Sequence, residues 1–267
     1  MSAIKQNRAA QHGNLGYPDT GTDPMTYCVG MLVDAGIVML ADSRTNAGVD
    51  NISTFHKVTR IERPGERVFV LLTAGNLSLS QSVISLVKEA LEVAEGKPNL
   101  YNAANMYEAA RCIGDAIREV HARDAEALEA FAMEFNVSII LGGQIRGEPP
   151  RMFNIYPAGN FIEATEDTCY FQIGEFKYGK PIIDCVITRK SRLQRAAKCG
   201  LVSMDSTIRS NLTVGPPIDV VVIRTDEYRV GSHQVIDADN DYFRQIRTRW
   251  GEALSQAFRD LPDPDWL

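Results

Sequence analysis

Residues 26 to 40 contain two apolar runs, Thr-Tyr-Cys-Val-Gly-Met-Leu-Val and Ile-Val-Met-Leu, separated by Asp34-Ala35-Gly36. Short apolar runs bounded by turn residues read as the strands of a hairpin. The second run ends on a carboxylate, Asp42, and a lysine follows at position 57. A hydroxyl, a carboxylate and an ammonium are thus delivered by neighbouring strands of one small unit. Side chains along a strand alternate with period two, so the turn decides which of them share a face. A three-residue turn ending at Gly36 sets Thr26 opposite Arg44 and Cys28 opposite Asp42. Thr26 and Asp42 are then diagonal neighbours on one face, about 7–8 Å apart. A two-residue turn slips the register by one and puts them on opposite faces.

The rest of the chain reads in alternating blocks. His56–Glu62 and Arg67–Thr73 are expected as strands around a Pro64-Gly65 turn. Asn76 or Ser78 caps a helix running to about Glu95, which Gly96 and Pro98 end. Met106, Ala110, Ile113, Ile117 and Val120 recur every three or four residues within a second helix, Ala103–Phe131. Strands are expected at Val137–Gly142, Arg151–Tyr156 and Thr168–Ile173, and helices at Lys180–Thr188 and Ser191–Ser206. A β-branched strand, Ile218–Thr225, follows Pro216-Pro217. A final amphipathic helix uses Phe243, Ile246, Trp250, Leu254 and Ala257. Strands, two helices, strands and helices again fit a pair of sheets between helical layers. No internal repeat or linker divides residues 26–267. Residues 1–25 are polar and read as a disordered extension, either a propeptide or residues upstream of a start at Met25.

Composition narrows the function classes. Of the 267 residues 45% are hydrophobic, enough for a substantial core, and the formal net charge of −6 argues against a basic nucleic-acid-binding surface. Five cysteines (28, 112, 169, 185 and 199) form no CxxC pair, so they read as reduced packing residues rather than a disulfide framework or zinc site. The four histidines are widely spaced and suggest neither a triad nor a metal centre. No run approaches the roughly 18 apolar residues of a membrane span, and the first residues lack the apolar centre of a secretory signal. The expected compartment is the cytoplasm.

Several segments together carry a resemblance. Thr26-Tyr-Cys-Val-Gly30, Ala41-Asp-Ser-Arg-Thr-Asn-Ala-Gly-Val-Asp50, Ile52-Ser-Thr-Phe-His-Lys57 and Thr73-Ala-Gly-Asn76 are similar to proteasome-type peptidases, and within them to the Anbu, or ancestral beta-subunit, branch. Gly174-Glu175, Lys177-Tyr-Gly-Lys-Pro181, Ser203-Met-Asp-Ser-Thr207 and the tryptophan-ended tail extend the similarity across residues 25–267. The resemblance implies an α+β fold, the four-layer αββα sandwich of N-terminal nucleophile (Ntn) hydrolases. It also implies self-assembly into a ring or helix, and peptides or unfolded chains as substrates. No motif for an unfolding ATPase partner is visible, and the implied chemistry needs no cofactor.

The same resemblance assigns Thr26 as nucleophile, with Asp42, Lys57, Gly75 and Asp205 around it. A hydroxyl needs an adjacent base, and an N-terminal threonine carries one in its own α-amine, whose pKa is about 7.7–8.0. The arrangement works only once residues 1–25 are removed, because an amide nitrogen is no base. Lys57 supplies positive charge, Asp42 holds Lys57, Gly75 offers a backbone N–H to the oxyanion, and Asp205 supports the amine. Cys28, two residues along, reads as an inert packing residue. Two features depart from the family. Its Gly-Ser-Gly-Ser segment becomes Ile173-Gly174-Glu175-Phe176, and the serine expected three residues after Asp205 becomes Ile208, leaving Ser206 and Ser210 as alternatives. A scaffold or peptide-binding assembly with little hydrolysis, and a small-molecule amidohydrolase of the same fold, are the rival readings.

Overall fold

The structure, a computed structural model, describes residues 26–46, 52–92 and 98–266. The expectations for the extension, and for a helix end at Gly96, lie outside the described residues.

Among the described residues twelve strands and five helices follow one another as β1 (Tyr27–Val33), β2 (Gly36–Asp42), β3 (Arg44–Asn46), β4 (Ile52–Thr54), β5 (Val58–Arg63), β6 (Arg67–Gly75), α1 (Leu77–Glu92), α2 (Met106–Ala130), β7 (Val137–Ile145), β8 (Arg151–Ile155), β9 (Phe161–Glu163), β10 (Tyr170–Gly174), α3 (Lys180–Val186), α4 (Leu193–Ser210), β11 (Ile218–Arg224), β12 (Val230–Ile236) and α5 (Asp241–Arg259). One five-stranded antiparallel sheet has the order β10-β1-β2-β11-β12, and a second has the order β5-β6-β7-β8-β9.

Three apolar layers hold these sheets. Cys28, Leu32, Met39 and Ala41 meet Val68, Val70, Leu72, Ile140 and Met152 between the sheets. Helices α1 and α2 cover the outer face of the β5–β9 sheet through Val83, Met106, Ile113 and Ile117. Helices α3, α4 and α5 cover the outer face of the other sheet, over Tyr27, Val29, Met31 and Leu40. The architecture is therefore a four-layer αββα sandwich. Both faces of β1 and β2 are covered, so every residue of these strands is buried and their sequences run apolar without alternation.

Helix starts follow local capping. Asn76 Oδ1 accepts the N–H groups of Ser78 (3.0 Å) and Leu79 (3.3 Å), opening α1. The second helix opens three residues later than expected. Asn105 Oδ1 accepts the Glu108 N–H at 2.9 Å, and Glu108 reaches back to the Ala104 N–H, also at 2.9 Å. The fourth helix runs to Ser210 rather than Ser206. The strands β3, β4, β9 and β12 were not expected from the sequence. Three of them have three residues each, and β12 is a polar edge strand.

Candidate active site

The first hairpin closes on two residues, Asp34 and Ala35, with Val33 paired to Gly36 and Cys28 to Ala41. This is the slipped register. Gly36 has φ +141°, and a β-carbon on it would lie 2.0 Å from the Ile223 carbonyl oxygen, so only glycine fits beside β11. By alternation Asp42 belongs to the face of Tyr27, not that of Thr26. Asp42 is the last residue of its strand, and its carboxylate reaches the peptide that joins Thr26 to Tyr27.

There the Tyr27 N–H donates to Asp42 Oδ1 at 2.9 Å, so the carboxylate sits against the Thr26–Tyr27 peptide. Lys57 Nζ donates to the same oxygen at 2.8 Å and to the Arg44 carbonyl at 2.7 Å. The Gly215 N–H approaches Asp42 Oδ2 at 3.4 Å. Thr26 and Lys57 are each only 6% exposed and Asp42 is fully buried. Burial pushes the Asp42 carboxyl above its ordinary range, while the Lys57 charge, its hydrogen bond and the two backbone N–H groups pull against that rise.

The neighbouring strand joins this group through backbone. The Thr73 N–H donates to the Lys57 carbonyl at 3.1 Å, and Cys28 Sγ contacts the Thr73 carbonyl at 3.6 Å. Two residues on, Gly75 ends β6 with φ +104°, exposed at the strand tip. Beneath the ion pair lies a cluster that sequence reasoning missed. Ser43 Oγ donates to Asp219 Oδ2 at 2.7 Å, while His233 Nε2 lies 2.6 Å from Oδ1 and His56 Nδ1 lies 3.5 Å from Oδ2. Asp219 is fully buried, and it grips the residue after Asp42 and the residue before Lys57. Tyr27 is anchored from the helical side, its hydroxyl 2.5 Å from both Ser203 Oγ and Gln172 Nε2.

Asp205 stands elsewhere. Arg209 Nε contacts one carboxylate oxygen at 2.8 Å and Arg247 Nε the other at 2.6 Å, so this buried aspartate ties α4 to α5. The helical turn explains it. Ser203 faces Tyr27 on the outer face of the sheet, and two residues further round, at about 100° per residue, the side chain is turned toward α5. Neither Ser206 nor Ser210 has a described hydrogen bond to Thr26, Asp42 or Lys57, and Ser210 is exposed.

The segment that does reach the site follows α4. Arg44 Nη1 donates to the Leu212 carbonyl at 3.0 Å, Gly215 approaches Asp42, and Asn211 Nδ2 donates to Glu175 Oε2 at 3.2 Å. Glu175, in turn, donates its N–H to the Thr26 carbonyl at 2.7 Å. Its position was legible as a departure from the family pattern, but its pairing with Asn211 was not. Among the described residues no group of three or more His, Cys, Asp or Glu side chains is placed to hold a metal ion. No helix among them is long and apolar enough to cross a membrane.

Two facing antiparallel sheets between helical layers, with a threonine heading the first strand beside a buried Asp–Lys pair, define a protein of the Ntn-hydrolase fold of the proteasome beta-subunit kind. Comparisons narrow this further. Anbu (ancestral beta-subunit) from Yersinia bercovieri is 50% identical and superposes with a TM-score of 0.84, over 90% of this chain and 99% of that one. An Anbu (Gly-1) mutant from Hyphomicrobium sp. strain MC1 is also 50% identical over 90% of this chain and 99% of its own, with a TM-score of 0.85. The Anbu complex from Pseudomonas aeruginosa, solved as a helical assembly, is 44% identical over 90% of this chain and 98% of its own, with a TM-score of 0.84. A proteasome subunit beta from Methanopyrus kandleri is 25% identical over 203 residues, 76% of this chain and 88% of that protein. No family model matches the sequence. The chain belongs to the Anbu family.

Proposed function

We propose that this protein is a threonine peptidase that cleaves peptide bonds with Thr26 after residues 1–25 have been removed. The observation that carries the reading is the Lys57–Asp42 pair, buried together against the Thr26–Tyr27 peptide. A lysine ammonium held there favours the threonine alkoxide and lowers the proton affinity of the new α-amine. The amine takes the hydroxyl proton, Oγ attacks the scissile carbonyl, and the oxyanion meets the Gly75 N–H at the tip of β6. Collapse expels the amine half of the substrate with that proton and leaves an ester on Thr26. Water then hydrolyses the ester, and the hydroxyl and amine are restored.

Homology to proteasome beta subunits supports the peptidase class. The helical assembly of a relative supports self-association, which would enclose the sites and favour peptides or unfolded chains as substrates. A cytoplasmic location is part of the same proposal, as is independence from any cofactor. The test is the intact mass of the protein made from its own gene in a bacterial cell, followed by peptidase assays of the wild type and Thr26→Ala. A chain starting at Thr26 that cleaves peptidyl fluorophores, with T26A inactive but equally assembled, supports the proposal. A chain retaining residues before Thr26, or a role in cells that T26A fulfils unchanged, overturns it in favour of a scaffold. Hydrolysis of small acyl amides with no action on peptides favours an amidohydrolase instead.

A further inference from the structure

Glu175 is a buried carboxylate, 4% exposed, that the mechanism above does not use. Its place is set by the backbone. Tyr27 pairs with Gly174 across β1 and β10, which sets Thr26 opposite Glu175. The Glu175 N–H donates to the Thr26 carbonyl at 2.7 Å, so Thr26 presents its backbone polar groups to the β10 edge. In an antiparallel pair two residues so bonded exchange N–H and C=O on the same edge, whereas the next residue's N–H points the opposite way. Tyr27 obeys this rule, its N–H reaching Asp42 on the β2 side. The Thr26 nitrogen therefore points toward the backbone carbonyl of Glu175, on the edge where that residue's side chain also begins.

The Glu175 side chain is held in turn. Asn211 Nδ2 donates to Oε2, and Asn211 Oδ1 is occupied by the Thr213 N–H at 2.9 Å and the Thr213 hydroxyl at 2.6 Å. The amide is thereby oriented with its NH2 toward the carboxylate. That leaves Oε1 without a described hydrogen bond beside the residue that becomes the chain terminus.

We propose that Glu175 is the partner of the Thr26 amino group: once residues 1–25 are gone, its carboxylate accepts a hydrogen bond from an N–H of the amine and so turns the nitrogen's lone pair toward the Thr26 hydroxyl hydrogen. The inference rests on the peptidase reading for its purpose, but its geometry does not. The charged groups around the new terminus are then Lys57 and Asp42 from the hairpin side, Arg44 against the 212–215 loop, and Glu175 from β10. Lys57 pushes the amine toward its neutral form and Glu175 draws it back toward the ammonium, which sets the pH at which the base becomes available.

The test is competitive acetylation of the α-amine across pH, read by mass spectrometry, on the chain starting at Thr26, which contains every described element. Labelling needs no turnover, so its outcome is independent of whether the protein hydrolyses peptides. Glu175→Gln is expected to lower the labelling half-point by about one pH unit, in line with the loss of a nearby opposite charge. Asn211→Ala is expected to raise it, because the carboxylate is released to the amine alone. Half-points equal to the wild type in either folded variant overturn the proposal. If E175Q does not fold, N211A decides. Variants that show the expected shifts beside a wild-type chain with no peptidase activity sink the proposed function and leave this inference standing.

Discussion

At the scale of single residues, the site is governed by burial. Asp42 is fully buried and meets Lys57 at 2.8 Å. Lys57→Ala strands that carboxylate without its cation, a change that costs about 3–5 kcal/mol. At about 2–4 °C per kcal/mol for a chain of this size, the melting temperature should fall by roughly 6–20 °C, with peptidase activity lost. A melt within the error of wild type would show that the pair is not buried as described. The raised Asp42 carboxyl also has a kinetic signature. In the mechanism proposed above the α-amine protonates first as the pH falls, and the logarithm of kcat/KM should fall with a slope of one. Because the folded Asp42 carboxyl lies above the ordinary value of about 3.9, its protonation should steepen that slope toward two while the pH is still above about 4. A slope of one down to pH 4 would contradict the direction of the shift. Cys28 offers a simpler check. Full burial pushes its thiol far up, so iodoacetamide at pH 8 should leave it unmodified in the native protein while the exposed Cys185 reacts.

At the scale of elements, much was legible and the failures have causes. The helices announced themselves by apolar spacing, as with Met106, Ile113, Ile117 and Val120 on α2, all fully buried. The apolar hairpin was visible too, but its turn was not, because Asp34-Ala35-Gly36 suits either two or three residues and the choice is made by β11. Thr225 donates its N–H to the Ala35 carbonyl at 3.1 Å, and the Ile223 carbonyl excludes a side chain at position 36. Such long-range packing leaves no local trace. The same is true of Asp205, whose direction depends on the phase of α4 against both the sheet and α5. The Asn211–Gly215 loop lies beyond that helix, and its contacts with Glu175 and Asp42 span 36 and 173 residues of sequence. Gly75 carries a prediction at this scale. Its φ is +104°, and a β-carbon there would stand 2.2 Å from the Asn136 carbonyl. Gly75→Ala should destabilise the fold by about 1–3 kcal/mol and displace the tip of β6, so urea unfolding should shift and kcat should fall more than KM rises.

At the scale of the whole molecule, the sandwich separates what binds its layers from the candidate site around Thr26. Asp205 belongs to the first kind. Its carboxylate is 1% exposed and joins Arg209 of its own helix to Arg247 of α5, whereas the Thr26 end is closed by Glu175, Asn211 and Gly215. Asp205→Asn therefore weakens the seam between α4 and α5 without touching Thr26. The two arginines released are about 54% and 36% exposed and can turn to water, so the cost should stay near 1–2 kcal/mol rather than that of stranding a buried charge. The melting temperature should drop by roughly 2–8 °C, while kcat/KM of the folded protein, and its pH profile, stay at wild-type values. A fall in kcat/KM at a temperature where the variant is fully folded would mean that Asp205 acts on the amine after all. It would return to this residue the role proposed above for Glu175.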